Sequence, residues 1–248
     1  AVATGVVDGR PVAVTGSVDG TVRVWDLTTG RPIGEPLTGH TDTVCAVATG
    51  VVDGRPVAVT GSVDGTVRVW DLTTGRPIGE PLEGHTGVVW AVATGVVDGR
   101  PVAVTGSGDE TVRVWDLTTG QQIGEPLTGH TDWVRAVVTG VVDGRPVAVT
   151  GSVDGTVRVW DLTTGQPIGE PLEGHTGPVE AVATGVVDGR PVAVTGSRDE
   201  TVRVWDLATG EQVATSLPFP EPVQAVAVVP SGELLVGFDK ELALLCPR

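Results

Sequence analysis

The sequence predicts an all-β fold built from repeated four-stranded antiparallel sheets, and three observations predict it. The stretch GSVDGTVRVWDLTTG, Gly16 to Gly30, returns with small changes four more times, and its tryptophan falls at Trp25, Trp70, Trp115, Trp160 and Trp205, 45 residues apart without insertion or deletion. A fixed period of that size marks a repeat architecture. Within each unit, apolar and polar residues alternate with period two over short runs bounded by Asp-Gly and Thr-Gly pairs, the pattern of half-buried strands joined by tight turns. Aromatic residues make up only 4% of a chain that is 40% apolar, so the core must be valine and alanine with one tryptophan per repeat. Valine packs well on a pleated sheet.

The unit over 41–85 justifies each element in turn. Strand a is Val44 to Ala48 and strand b is Pro56 to Thr60, joined by Val52-Asp53-Gly54-Arg55, whose Asp-Gly pair tolerates the positive φ that a two-residue hairpin demands. A second Asp-Gly pair, Asp64-Gly65, leads into strand c, Thr66 to Trp70. Thr73-Thr74-Gly75 then turns the chain into strand d, Pro77 to Leu82. Two prolines in d place it at a sheet edge, because proline cannot donate to a ladder. Four short strands cannot bury both faces alone, so successive sheets must pack on one another.

The dipeptides Gly39-His40, Gly84-His85, Gly129-His130 and Gly174-His175 keep the same 45-residue period, each 30 residues ahead of the next Trp-Asp pair. With Trp25-Asp26 and its copies, they make the chain resemble the WD-repeat (WD40) β-propeller family. The resemblance implies a propeller of four-stranded blades, five full and a partial sixth, in one domain over 1–248 with blades near 1–40, 41–85, 86–130, 131–175, 176–218 and 219–248. It also implies a structural tetrad in which the indole N–H meets a serine, the serine a histidine, and the histidine the aspartate of the b–c turn. The matching residues are His40, Ser62, Asp64 and Trp70; His85, Ser107, Asp109 and Trp115; His130, Ser152, Asp154 and Trp160; and His175, Ser197, Asp199 and Trp205. The first blade keeps Ser17, Asp19 and Trp25 without a histidine, and the last has no tetrad.

Both ends depart from the pattern. Ala1 aligns with Ala46, inside strand a, and from Leu217 the motif degrades: Pro222 to Val229, Glu233 to Phe238 and Glu241 to Cys246 read as strands a, b and c. The expected reading is an N-terminally truncated ring whose missing strand precedes Ala1. A self-contained six-bladed ring with one open edge, which would invite self-association through the open blade, is the alternative.

Serine, histidine and aspartate are also the types of a hydrolase triad, which is recognised by geometry and an exposed nucleophile. Here they recur once per blade beside a tryptophan, and no G-x-S-x-G elbow appears, so the expectation is no catalysis. The four histidines fall on separate blades, too dispersed for one metal sphere, and nothing calls for a cofactor. Cys45 and Cys246 occupy non-equivalent places, so neither a disulfide framework nor a metal clip is expected. The net charge of −15 argues against nucleic acid and anionic membranes as partners. No apolar run reaches the length of a membrane helix. A cytoplasmic chain is expected, and one lysine against fifteen arginines, with no Asn, Tyr or Met, fits a GC-rich bacterial coding sequence. Asp8-Gly9-Arg10 and its copies read as solvated hairpin tips.

Function is sought where near-identical repeats disagree. The divergent columns are Thr43, Val88, Trp133, Pro178; Cys45, Trp90, Arg135, Glu180; and Val63, Gly108, Val153, Arg198. The strand order brings all three to the end of the blade that holds the d–a and b–c connections. Trp90, Trp133 and Arg135 are residue types that dominate interface hot spots. The expected function is therefore a non-catalytic interaction or scaffolding module that binds a protein or peptide through this variable top face. The alternative is a sensor or regulatory repeat region of a larger bacterial signalling protein, with a kinase or NTPase effector upstream.

Overall fold

The computed structural model describes residues 1–229 and 233–245. The Cys246 end of the last expected strand lies outside them. The described residues contain strands and turns and no helix, so no helix is long and apolar enough to cross a membrane.

Six antiparallel sheets follow one another along the chain. The first comprises β1 (Val2–Val7), β2 (Arg10–Gly16), β3 (Val22–Asp26) and β4 (Arg31–Leu37). The second comprises β5 (Val44–Val52), β6 (Arg55–Ser62), β7 (Val67–Asp71) and β8 (Arg76–Pro77). The third has β9 (Val89–Val97), β10 (Arg100–Ser107) and β11 (Val112–Asp116). The fourth has β12 (Val134–Val142), β13 (Arg145–Ser152), β14 (Val157–Asp161) and β15 (Gln166–Pro167). The fifth has β16 (Val179–Val187), β17 (Arg190–Ser197), β18 (Thr201–Asp206) and β19 (Leu217–Pro218). The last has β20 (Val223–Val228), β21 (Leu234–Phe238) and β22 (Glu241–Leu245). The chain divides into two compact units, Ala1–Pro126 and Leu127–Arg248, and each is described by itself.

Strands a and b outrun the sequence reading because the Asp-Gly turn holds their ladder to its tip. In the second sheet Val52 pairs Arg55 across a two-residue loop, with Asp53 at φ 49° and Gly54 at φ 76°. This is the backbone of the twist-matched type I′ hairpin. Strand d falls short of the expected Pro77 to Leu82. After β8 the chain leaves the ladder at Gly79 (φ 70°) and returns only for the Val67–Leu82 bridge. Pro81 has no N–H to offer between them. Where glutamine replaces the proline of d, as at Gln122 and Gln212, the pairing to tryptophan shrinks to one bridge.

Packing is between successive sheets. In the first unit Trp70 of the second sheet joins Val12, Val14, Val22 and Val24 of the first, and Trp115 joins Val57, Val59, Val67 and Val69. In the second unit Trp205 does the same on Val147, Val149, Val157 and Val159. The sheets approach so closely that a Cβ on Gly16 would lie 2.5 Å from Val44 Cγ1, and one on Gly61 2.5 Å from Val89 Cγ1. Glycine in strand b is a steric requirement of that approach. The last sheet lacks tryptophan, and Phe238 packs there with Phe219 at a 5.1 Å ring separation.

Candidate interaction rim

The polar network of each full repeat fixes one end of its sheet. Trp70 Nε1–H donates to Thr60 Oγ1 at 2.9 Å, and that hydroxyl lies 2.8 Å from His40 Nε2. His40 Nδ1 lies 2.9 Å from Asp64 Oδ2. The same distances recur through Thr105, Thr150 and Thr195. The expected role of Ser62, Ser107, Ser152 and Ser197 is therefore corrected: a threonine two residues earlier is the link to the indole. The register explains it, since Trp70 pairs Ala58 and the next same-face position of β6 is Thr60, with Ser62 a further step towards the turn. Ser62 instead accepts the Asp64 N–H at 3.1 Å and donates to the Asp42 carbonyl at 3.1 Å. It is fully buried and pairs with no histidine, so these serines hold turns and do not form a nucleophile–base pair.

One tautomer satisfies the chain: indole to threonine, threonine hydroxyl to His Nε2, and His Nδ1–H to the carboxylate. Burial lowers the pKa of His40 and His175 against the opposing pull of Asp64 and Asp199, which keeps the rings neutral. Burial raises the Asp64 carboxyl, but the Thr66 hydroxyl and the Thr41 and Thr66 N–H groups outweigh it and hold the group at about 2. Asp199 sits at about 2 for the same reasons, with Thr201, Thr176 and His175 as donors. Asp109 and Asp154 lie well below the usual carboxylate range, burial again being outweighed by their histidine and threonine donors. The aspartate of the Trp-Asp pair has a separate task that sequence reasoning missed. Asp71 Oδ1 takes the N–H groups of Thr73 and Thr74 at 2.9 Å each, closing the c–d turn.

This network ties the d–a loop to the b–c turn and brings the first and third divergent columns together within each sheet. Val63 N–H donates to Thr43 O, Gly108 to Val88, Val153 to Trp133, and Arg198 to Pro178, at 2.8–2.9 Å. The second column is special in another way. Val44 pairs Ser62 and Ala46 pairs Gly61, leaving Cys45 as the extra residue of a β-bulge. Trp90, Arg135 and Glu180 occupy the same bulge in their sheets. A bulge leaves its residue out of the ladder and re-aims its side chain. Arg135 Nε reaches Glu180 Oε2 of the next sheet at 3.2 Å, and Arg198 Nε lies 2.6 Å from Glu180 Oε1. Trp133 is 48% exposed and the Arg198 side chain 58%. Trp90 is only partly exposed.

A fourth divergent position escaped the sequence reading. Among the five full repeats, the b–c turns carry Gly20, Gly65 and Gly155 in three but Glu110 and Glu200 in the other two, at φ 68° and 65°. A β-carbon in that region is strained. The swap from Asp-Gly to Asp-Glu accompanies glycine at 87 and 177, where the sister loops have Asp42 and Asp132. Glycine at 87 answers a close approach, since a Cβ there would lie 2.8 Å from the Asp109 nitrogen; the glutamate at 110 has no structural explanation.

A model of the WD domain, G-beta repeat, matches residues 5–26, 30–71, 75–116, 120–161 and 165–206. The chain belongs to the WD-repeat family. Its sheets are blades of the WD40 β-propeller fold, and WD repeats generally mediate protein–protein interaction or scaffolding. The matched segments also show how sequence and blade are offset. Residues 30–71 contain β4 of the first blade followed by β5, β6 and β7 of the second. No curated protein matches the WD-repeat chain.

Proposed function

We propose that this WD-repeat chain is a non-catalytic interaction module that binds a protein or peptide partner through the rim formed by its d–a loops and b–c turns. One observation carries the reading: the most divergent residue of strand a is, in every full repeat that has one, the bulged residue, and it sits beside two further divergent columns. Residues of the strand ladders are copied almost without change, whereas the bulged residues that leave the ladder differ from blade to blade. Thr43, Cys45 and Val63 in the second blade, Val88, Trp90 and Gly108 in the third, Trp133, Arg135 and Val153 in the fourth, and Pro178, Glu180 and Arg198 in the fifth form the contact set. Trp133 and Arg198 are its anchors, since large aromatic and guanidinium groups supply most of the energy of such interfaces. A cytoplasmic location fits this role.

The test compares capture of binding proteins by the native chain with capture by a Trp133→Ala, Arg198→Ala variant. Both side chains are substantially exposed, so the variant is expected to melt with the native chain. A protein retained by the native chain and lost by the variant supports the rim. A partner retained equally by both would place binding elsewhere.

A further inference from the structure

Blades two to five each carry an arginine in strand c two residues before the tryptophan: Arg68, Arg113, Arg158 and Arg203. The four are held alike. A Cβ on the glycine of the preceding Gly-His pair would lie 2.7–2.9 Å from Nη1, as Gly39 from Arg68 and Gly129 from Arg158. Every Nε is buried without a hydrogen-bond partner. The loop thus clamps each guanidinium and leaves its terminal nitrogens to find acceptors.

Strand d decides whether they find one. Gln122 Oε1 accepts from Arg113 Nη1, and Gln122 Nε2 donates to the Gly124 carbonyl at 2.8 Å. Gln212 Oε1 accepts from Arg203 Nη1 at 2.6 Å, and its amide donates to the Ala214 carbonyl. In these blades one carboxamide bridges the guanidinium to the backbone of strand d. In the second and fourth blades the residue across from tryptophan is Pro77 or Pro167, whose side chain offers neither donor nor acceptor. Among the described residues no group accepts a hydrogen bond from the guanidinium of Arg68 or Arg158.

The backbone half of the bridge is the same in all three Gly-bearing turns. Gly79 and Gly169 stand where Gly124 does, with φ of 70° and 69° against 68°. Ile78, Ile123 and Ile168 each tie the turn to strand c at 2.8 Å. Gly79 and Gly169 are exposed, and among the described residues no backbone N–H donates to either carbonyl. Guanidinium and carbonyl are thus held as in the sister blade, with proline in place of the group that joins them.

This pair of groups selects its ligand. A carboxylate would suit the arginine but turn a second acceptor on the carbonyl, beside exposed Glu80 or Glu170, on a chain of net charge −15. An ammonium would suit the carbonyl and be repelled by the arginine. A carboxamide has an acceptor for one and a donor for the other. The clamped guanidinium loses little freedom on meeting it.

We propose that Arg68 with the Gly79 carbonyl, and Arg158 with the Gly169 carbonyl, are two separate sites for a carboxamide, the side chain of a glutamine on a protein partner. None of these residues belongs to the contact set proposed above.

Nitrogen–proton spectra of the arginine Nε groups test this, with acetylglutamine methylamide as the probe and acetylglutamate methylamide as its acidic twin. Arg68 and Arg158 are expected to shift saturably below about 100 mM glutamine probe, the weak range of a single side chain, while Arg113 and Arg203 hold still. Pro77→Gln, Pro167→Gln supplies the carboxamide from within and is expected to weaken the response at least about tenfold. Gln122→Pro, Gln212→Pro is expected to extend it to Arg113 and Arg203. Each exchange copies a residue that a sister blade holds at that position, and thermal melting checks that the variants fold. Native arginines that stay unmoved up to that concentration overturn the proposal, as does a response undiminished in the glutamine variant. A stronger response to the acidic twin also overturns it, because the arginines would then be plain anion sites.

Discussion

Glu180 and Arg198, facing each other at 2.6 Å, lie in one blade but come from different connections, one from the bulge of strand a and one from the b–c turn. The carboxylate's other oxygen serves Arg135 of the preceding blade. Glu180→Ala therefore leaves two guanidiniums without their shared counter-ion. Because Arg198 is largely exposed, solvent screens its pair, and the expected loss is about 1 kcal/mol in total. Denaturation at low and at 1 M salt checks this: native and variant should converge at high salt.

Thr60 carries two buried groups at once, the indole N–H of Trp70 and the ring nitrogen of His40. Thr60→Val keeps the shape and removes both partners, at about 1–3 kcal/mol for each group left unsatisfied. Thr15→Val breaks only the bond from Trp25, whose indole is less buried, so it should cost less. Ser62→Ala, which loses turn contacts only, is expected to cost about 1 kcal/mol. Urea midpoints of the three variants give the order.

Acid should unfold the chain in two stages. His40 and His175 titrate below their ordinary value when folded, so the unfolded chain binds protons first. The stability present above pH 6.5 is lost as pH falls below it. Asp64 and Asp199, held at about 2 against an ordinary 3.8, add a second loss between pH 3.8 and 2. Melting temperature against pH should fall in both windows. A His40→Gln, His175→Gln variant should flatten the upper one.

Glu110 and Glu200 hold left-handed backbone where sister blades have glycine. Glu110→Gly and Glu200→Gly should each stabilise the chain by about 1 kcal/mol by relieving that strain, seen as a raised melting temperature. If the glutamates belong to the binding rim, partner affinity should fall as stability rises.

The blade itself was legible in the sequence, because valine alternation and Asp-Gly pairs act locally. The Asp53-Gly54 hairpin follows from two residues alone. The tetrad was legible in part: the resemblance to the WD-repeat family pointed to His40, Asp64 and Trp70, but the choice between Thr60 and Ser62 depended on cross-strand register, which the motif does not state. The bulge at Cys45, Trp90, Arg135 and Glu180 was invisible for the same reason, although divergence marked its position. Glu110 and Glu200 were overlooked because the significance of Glu for Gly lies in a backbone angle.

The offset between repeat and blade makes the array behave as interlocked links. Residues 30–71 give their first strand to the blade before and keep three for the blade they complete. A segment excised at its own sequence borders would carry away its neighbour's outer strand and leave its own behind. Neighbouring blades should therefore melt together, and hydrogen exchange within each compact unit should report one collective opening in place of a separate event for each blade.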